Sequence, residues 1–142
     1  GAQALISDMK ARQAEMVAKV ADLPTVRVAF YTGGEGPLNI LSGGVWGDTI
    51  TQANGESVFP NDVFQVSIEE FAAAQPDVII IGTYPGQEAE ASLAFLQKTF
   101  PNVPAVQNNR LYPVPTIETE ATARIIDGFE KIARAIHPEA FQ

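Results

Sequence analysis

The chain has 142 residues, 46% of them hydrophobic, which is enough for one globular domain with its own core. Nine basic against seventeen acidic residues give a net charge of -8, and no segment gathers Lys or Arg as a phosphate backbone would require. Cysteine is absent, so the chain carries no disulfide and no thiolate metal ligand. Composition therefore disfavours nucleic acid as a partner and excludes thiol chemistry.

The first twenty residues predict one long amphipathic helix. Its apolar positions recur at helical spacing on one stripe, at Leu5, Met9, Met16 and Val20. The helix should end before Pro24, because a proline disfavours helical backbone in the residue that precedes it. No N-cap residue precedes the stripe, which suggests that the sequence begins inside a longer element. The charges along this segment also differ from the apolar run of a secretory signal peptide.

Strand-like and helix-like segments then alternate, a pattern typical of an α/β fold with a mostly parallel sheet. We predict strands at residues 26–31, 58–59, 77–82 and 111–114, and either a strand or an extended loop at 103–106. We predict helices at residues 46–53, 67–74, 87–100 and 119–136, and a Gly-rich loop at 32–44. Every apolar run is far shorter than the roughly 20 residues of a membrane helix.

Local signals support these boundaries. Ser67 and Glu70 have the spacing of a capping box, in which each side chain bonds a free backbone N–H at the start of a helix. Gly55 can end the preceding helix in a left-handed conformation. Residues 78–81 are all apolar, as expected for a central parallel strand that is covered on both faces. The single histidine, His137, is predicted to cap the last helix.

Two glycine-rich motifs raise the possibility of nucleotide binding. Residues 41–44 copy part of the signature of transport ATPases, but the chain has no phosphate-binding G-x-x-x-x-G-K-[ST] loop, and its apolar strand ends in Gly82 rather than in a magnesium-binding Asp. Residues 32–36 lie where a dinucleotide fingerprint would start, yet Asn39 replaces its third glycine. Both motifs are interpreted as flexible turns.

Catalytic groups are equally sparse. With one histidine and no cysteine, neither a Ser-His-Asp relay nor a histidine-based metal cluster is expected. The carboxylates stand at i,i+4 and capping positions, which is typical of solvated helix faces rather than of an acid-base pair. We therefore predict no enzymatic activity, no cofactor and no metal site.

Four segments, in order, resemble the substrate-binding proteins of iron-siderophore, heme and cobalamin importers, whose two lobes are joined by one long helix. The segments are LSGGVWGDTI with ANGESVF (41–50 and 53–59), VSIEEF with QPDVIII (66–71 and 75–81), VPAVQNNRLY (103–112), and residues 124–141, which end in ARAIHPEAF. Each motif alone is common. The ordered set covers nearly the whole chain, and it is the set that carries the resemblance.

The resemblance implies a domain organisation and a role. Residues 1–23 would be the last part of the inter-lobe helix, and residues 24–142 a three-layer, Rossmann-like C-terminal lobe, without the N-terminal lobe. The protein would carry an iron chelate, such as a ferric siderophore, heme or a cobalamin-like complex, to an ABC permease. It would work on the periplasmic or extracellular face of the cytoplasmic membrane, with or without a lipid anchor. The alternatives are a small flavodoxin-like enzyme or nucleotide-binding domain, and an interaction module without a role in transport.

The expected ligand site lies beyond the carboxyl ends of the strands, where open α/β sheets bind ligands. The predicted ligand-binding residues are Trp46, Thr83, Tyr84, Thr116, Glu118 and Arg124. Trp46 and Tyr84 offer flat apolar surface with a polar tip, and Arg124 can meet an anionic chelate through a bidentate contact. Three alternatives stay open: Trp46 as a core residue, Thr116 and Glu118 as helix caps, and Arg124 as the partner of a neighbouring acid.

Glu69 matches the family position at which an acidic residue docks on a basic pocket of the permease. The capping box uses Glu70, which leaves Glu69 able to point outward. An ordinary acid that stabilises the start of a helix would occupy the same position, so this alternative also stays open.

Overall fold

The computed structural model describes residues 2–34, 37–40, 50–59, 64–83, 89–115 and 125–141. Its helices are α1 (Ala2–Val20), α2 (Ile68–Ala74), α3 (Glu90–Thr99), α4 (Pro104–Gln107) and α5 (Ile125–Ile136), followed by a 3-10 turn at Pro138–Phe141. Its strands are β1 (Val26–Gly33), β2 (Leu38–Ile40), β3 (Gly55–Ser57), β4 (Gln65–Val66), β5 (Val78–Thr83) and β6 (Leu111–Pro115). Within the described ranges, no helix has both the length and the apolar character needed to cross a bilayer.

The strands of these ranges form one sheet in the order β4-β2-β1-β5-β6, with β3 beside the first half of β1. The central pairs are parallel: β1 with β3, β1 with β5, and β5 with β6. The pairs at one side, β1 with β2 and β2 with β4, are antiparallel. The predicted α/β fold with a mostly parallel sheet is therefore confirmed.

The side chains of β5 divide the core into two layers. Val78 and Ile80 pack with residues of α1 and α5 on one face of the sheet. Ile79 and Ile81 pack with residues of α2 and α3 on the other face. All four side chains are at most 1% exposed. Because successive residues of a strand point to opposite faces, this apolar run is stable only with helices on both sides, which gives the three layers.

The capping box at the start of α2 is confirmed. The Glu70 backbone N–H donates to Ser67 Oγ at 3.0 Å, and the Ser67 N–H donates to Glu70 Oε1 at 3.3 Å. Gln75 ends the helix in a left-handed conformation with φ of 50°. The helix therefore has the predicted end at Ala74, and its short length is fixed by local bonds at both ends.

One loop prediction and one strand prediction were wrong. The predicted loop at 32–44 contains β2, in which Leu38 and Ile40 are buried against the sheet. Its three residues are too few to show a period of two in the sequence. The strand predicted at 58–59 lies earlier, at Gly55–Ser57, because its parallel pairing with β1 starts at Gly55.

The predictions for residues 103–106 and for Gly55 were also wrong. Residues 103–106 were expected to be extended, but α4 occupies most of this segment, with Pro104 at its first turn, where the missing N–H costs nothing. Gly55 was expected to supply a left-handed cap, but Asn54 has the positive φ, of 59°, and Gly55 starts β3. Asn tolerates this conformation because its short polar side chain bonds nearby backbone.

The end of α5 differs from the prediction in its side-chain contacts. His137 follows the helix directly, as expected, but its ring bonds the distant Asn54 carbonyl oxygen. The carbonyl oxygens of Ala135 and Ile136 instead accept hydrogen bonds from Arg110 Nη2, at 3.0 and 2.8 Å. Arg110, the residue just before β6, thus caps the C-terminal end of α5 with its guanidinium group. Local sequence does not reveal this long-range contact.

The predicted helices at 46–53, 87–100 and 119–136 begin outside the described residues. Their described parts agree with the predictions, since residues 50–52 are helical and α3 and α5 end at Thr99 and Ile136.

Phe71 of α2 is the centre of an aromatic cluster beneath the sheet. Its ring centroid lies 4.8 Å from that of Phe100, 5.8 Å from that of Phe59 and 6.4 Å from that of Tyr31. The side chain is fully buried, whereas Phe64, just before β4, is 64% exposed. The same residue type therefore occurs in opposite environments.

Phe71→Ala should lower the free energy of unfolding by about 3–5 kcal/mol, because it removes buried surface and leaves a cavity. Phe64→Ala should change it by no more than about 0.5 kcal/mol, since that ring is already largely in water. Urea denaturation followed by circular dichroism measures both. Equal losses for the two variants would contradict this description of the core.

Candidate functional site

Three parallel strands end side by side at one edge of the sheet, here called the carboxyl edge. Tyr31 of β1 is paired with Ile81 of β5, and Thr83 at the end of β5 is paired with Pro115 at the end of β6. Ligands of open α/β sheets bind beyond such an edge, because loops from several strands converge there. The carboxyl edge of β1, β5 and β6 is therefore the candidate ligand site.

The chain leaves β1 through a tight turn at this edge. Gly33 and Gly34 have φ of 133° and 88°, a region that residues with side chains rarely adopt. Tyr31 Oη donates a hydrogen bond of 2.6 Å to the Gly34 carbonyl oxygen, so a ring anchored in the core holds the turn. The sequence analysis did not predict this role of Tyr31, which lies two residues before the glycine pair.

The structure places one predicted ligand-binding residue directly. Thr83 is the last residue of β5 and is half-buried at the carboxyl edge, and its role in binding stays a prediction. The other five lie outside the described residues: Trp46, Tyr84, Thr116, Glu118 and Arg124. Among the described side chains, no three His, Asp or Glu residues are placed to hold a metal ion.

The glycine-rich segment after β1 leads into another strand. Residues 37–40 pass into β2, and Asn39 is paired with Gly33 of β1. A dinucleotide fingerprint needs a helix start at this point, because the helix N–H groups bind the pyrophosphate. Among the described residues that follow β1, residues 37–40 therefore continue as a strand and not as a helix start.

Glu69 lies in a separate open groove at the β4 side of the sheet. The groove has a volume of about 550 Å³ and is lined by Pro37 and residues 65–70. Glu69 is exposed, whereas Ser67 and Glu70 bond each other's backbone in the capping box. The groove lies along β4, and β2 separates β4 from β1 in the sheet. Glu69 therefore lies away from the aligned ends of β1, β5 and β6.

Gly34→Ala should destabilise the protein more than Gly33→Ala. Both substitutions put a side chain at positive φ, which costs on the order of 1–3 kcal/mol. A Cβ at Gly34 would also lie 2.5 Å from the Pro37 carbonyl oxygen, whereas a Cβ at Gly33 would meet nothing within 4 Å. Urea denaturation of the two variants tests this difference. A larger loss for Gly33→Ala would contradict the geometry of the turn.

Comparison with known proteins gives the same architecture. An ABC transporter substrate-binding protein from Listeria monocytogenes superposes with a TM-score of 0.78 at 21% identity, over 96% of this chain and 57% of that one. A periplasmic heme binding protein from Pseudomonas aeruginosa gives 0.76 at 24% identity, over 96% and 53%. An ABC-type Fe3+-hydroxamate transport system from Saccharomonospora viridis gives 0.73 at 20% identity, over 99% and 49%.

These structures share their fold with the chain, which spans about half of their length. A comparison with curated protein sequences gives no match. The sequence profile of one family, described as periplasmic binding protein, matches residues 1–117, which is most of the chain. The chain belongs to the periplasmic binding protein family.

Proposed function

We propose that the chain is the C-terminal lobe of the substrate-binding component of an ABC importer, and that the complete protein carries an iron chelate or a similar metal complex to its permease. The observation that carries this proposal is the family match over residues 1–117. Its fold supports the same role, since three parallel strands end together at the carboxyl edge, where open α/β sheets bind ligands.

The proposed ligand class is supported by chemistry and by the similar structures. Two of them are described as binding heme or transporting Fe3+-hydroxamate, both of which are large, flat or rounded metal chelates. A ferric siderophore, heme or a cobalamin-like complex would meet ring faces at Trp46 and Tyr84, hydroxyl groups at Thr83 and Thr116, and polar contacts at Glu118 and Arg124.

The remaining half of the pocket would come from an N-terminal lobe. In this proposal residues 1–23, which include α1, connect the lobes, and residues 24–142 form the C-terminal lobe. The ligand would lie in the cleft between the lobes, against the carboxyl edge. The complete protein would work outside the cytoplasmic membrane, in the periplasm or at the cell surface.

Glu69 is proposed to dock on the permease. It is exposed beside an open groove, it is not part of the capping box, and it stands apart from the strand ends that would hold the ligand. A carboxylate in this setting can meet a basic pocket of the permease without affecting the ligand site.

The complete protein should bind a ferric hydroxamate, heme or cobalamin with a Kd below about 1 µM, near -8 kcal/mol. The 142-residue chain should bind the same ligand at least about 100-fold more weakly, because half of the contacts are missing. Isothermal titration calorimetry measures both constants. The iron-free siderophore is the control for the metal complex, and FMN and NAD test the nucleotide alternative.

Two outcomes would contradict the proposal. Submicromolar binding by the 142-residue chain alone would exclude a pocket shared between two lobes. Binding of FMN or NAD, with no binding of any chelate, would replace transport by the nucleotide-binding alternative.

Glu69→Arg in the complete protein should leave ligand affinity within about twofold and lower transporter-dependent uptake by at least about tenfold, because like charges would meet at the docking site. Ligand titration of the purified variant and uptake by cells measure the two effects separately. Glu70→Gln is one control, since Gln can still complete a capping box. Glu90→Arg is the second, because Glu90 is also an exposed acid in the first turn of a helix.

Normal uptake with Glu69→Arg would show that Glu69 has no docking role. An equal loss of uptake with Glu90→Arg would mean that a first-turn acid stabilises its helix and nothing more.

A further inference from the structure

Asn54 connects three separate parts of the chain at the edge of the sheet opposite the candidate ligand site. Its side-chain Nδ2 donates to the carbonyl oxygens of Val20 and Leu23, at 2.8 and 2.6 Å. Its Oδ1 accepts a bond of 2.9 Å from Thr25 Oγ1. These contacts fix the orientation of the amide, because carbonyl oxygens require the NH₂ group and the opposite orientation would leave them unpaired.

The Asn54 backbone is bonded as fully as its side chain. Its N–H donates to the Thr51 carbonyl oxygen at 3.0 Å, and its own carbonyl oxygen accepts from the Val26 N–H at 3.4 Å. His137 Nε2 lies 3.0 Å from the same carbonyl oxygen and must carry the proton, because a carbonyl can only accept. All the polar atoms of Asn54 therefore have partners, and its φ of 59° positions them.

His137 is 1% exposed and Asn54 is half-buried, so the bond between them is partly buried. The other ring nitrogen, Nδ1, is 3.4 Å from Glu139 Oε1, on the 3-10 turn that follows α5. The bond from Nε2–H to the Asn54 carbonyl oxygen fixes the orientation of the ring, and Nδ1 donates to Glu139 only in a ring that carries a proton on both nitrogens. The end of α5 is thus tied, through Asn54, to the end of α1.

The bonds at Val20 and Leu23 fall where α1 ends. The last carbonyl groups of a helix have no partner within it, so Asn54 acts as a cap that comes from 34 residues away. Among the α1 side chains whose burial the structure describes, from Lys10 onward, Met16 and Val20 are buried. In this described part of α1, Met16 and Val20 thus pack against the core, with Val17 beside them.

The length of α1 converts a small rotation at its C-terminal end into a larger displacement at its other end. At 1.5 Å per residue, the 19 residues of α1 span about 28 Å, so a rotation of about 10° at its end would move the other end by about 5 Å. A small change in the bonds at Asn54 is therefore amplified along α1.

We propose that Asn54 and His137 form a joint that fixes the direction of α1 relative to the sheet. The joint comprises Asn54 with its partners Val20, Leu23, Thr25 and His137. Its consequence for transport rests on the proposed function: if α1 leads to the other lobe, the joint sets the angle between the lobes and with it the width of the ligand cleft. Asn54 is then a positioning residue on the side of the sheet away from the ligand.

Pulsed EPR on the 142-residue chain tests the joint directly. The chain has no cysteine, so spin labels can be attached at Lys10→Cys on α1 and Lys98→Cys on α3, both exposed positions. The distance distribution between the labels should be narrow in the parent chain. Asn54→Gly removes the side-chain bonds while keeping an acceptable residue at positive φ, and it should at least double the width of the distribution.

Asn109→Gly is the matched control, since Asn109 has a similar φ of 55° in an exposed turn. It should leave the distribution unchanged. His137→Phe keeps a planar ring, somewhat larger than imidazole, and removes the bond to Asn54, and it should broaden the distribution as Asn54→Gly does. Asn54→Asp keeps the acceptor for Thr25 but loses both donors to carbonyl oxygens, and it should behave like Asn54→Gly.

An unchanged distribution in folded Asn54→Gly would overturn the proposal. Unfolding of both Asn54 variants, seen by circular dichroism, would also overturn it, because the bonds would then serve the fold rather than the direction of α1. The measurement uses no ligand, so its outcome is independent of whether the protein transports a chelate.

Discussion

The parallel pairing of β5 between β1 and β6 is the constraint on which the rest of the structure depends. Its alternating side chains are buried on both faces, so helices must cover the sheet on each side. The same pairing aligns the ends of three strands, with Thr83 opposite Pro115. One set of apolar contacts thus provides the stability of the lobe and creates the edge at which a ligand can be bound.

Different side chains bond the backbone at the two edges of the sheet. At the carboxyl edge, the chain turns through Gly33 and Gly34 and has the Tyr31 hydroxyl as an anchor. At the opposite edge, Asn54 and His137 connect distant segments through partly buried bonds. In the proposed function, ligand contacts at the carboxyl edge and a connection to α1 at the opposite edge would suit a lobe that holds its shape while a ligand enters and leaves.

Much of the fold could be predicted because its signals are local. The apolar stripe that ends at Val20, the apolar run of β5 and the Ser67 capping box each depend on residues close in sequence. The short strands β2 and β4 could not be predicted, since two or three residues show no period. The bonds of Asn54 and His137 could not be predicted either, because their partners are 83 residues apart. For the site, the predicted ends of the strands are enough to place Thr83 at the carboxyl edge, and its role in binding stays a prediction.

Paramagnetic NMR of the complete protein tests the central claim most directly, because a ferric chelate broadens the signals of amides close to the metal. The comparison uses ferric hydroxamate or ferric heme, whichever binds, and its diamagnetic gallium(III) counterpart. The broadening of amide signals should be greatest at Gly33, Gly34 and Thr83, at the carboxyl edge. Broadening centred on Asn54 and His137, or in the groove around Glu69, would contradict it.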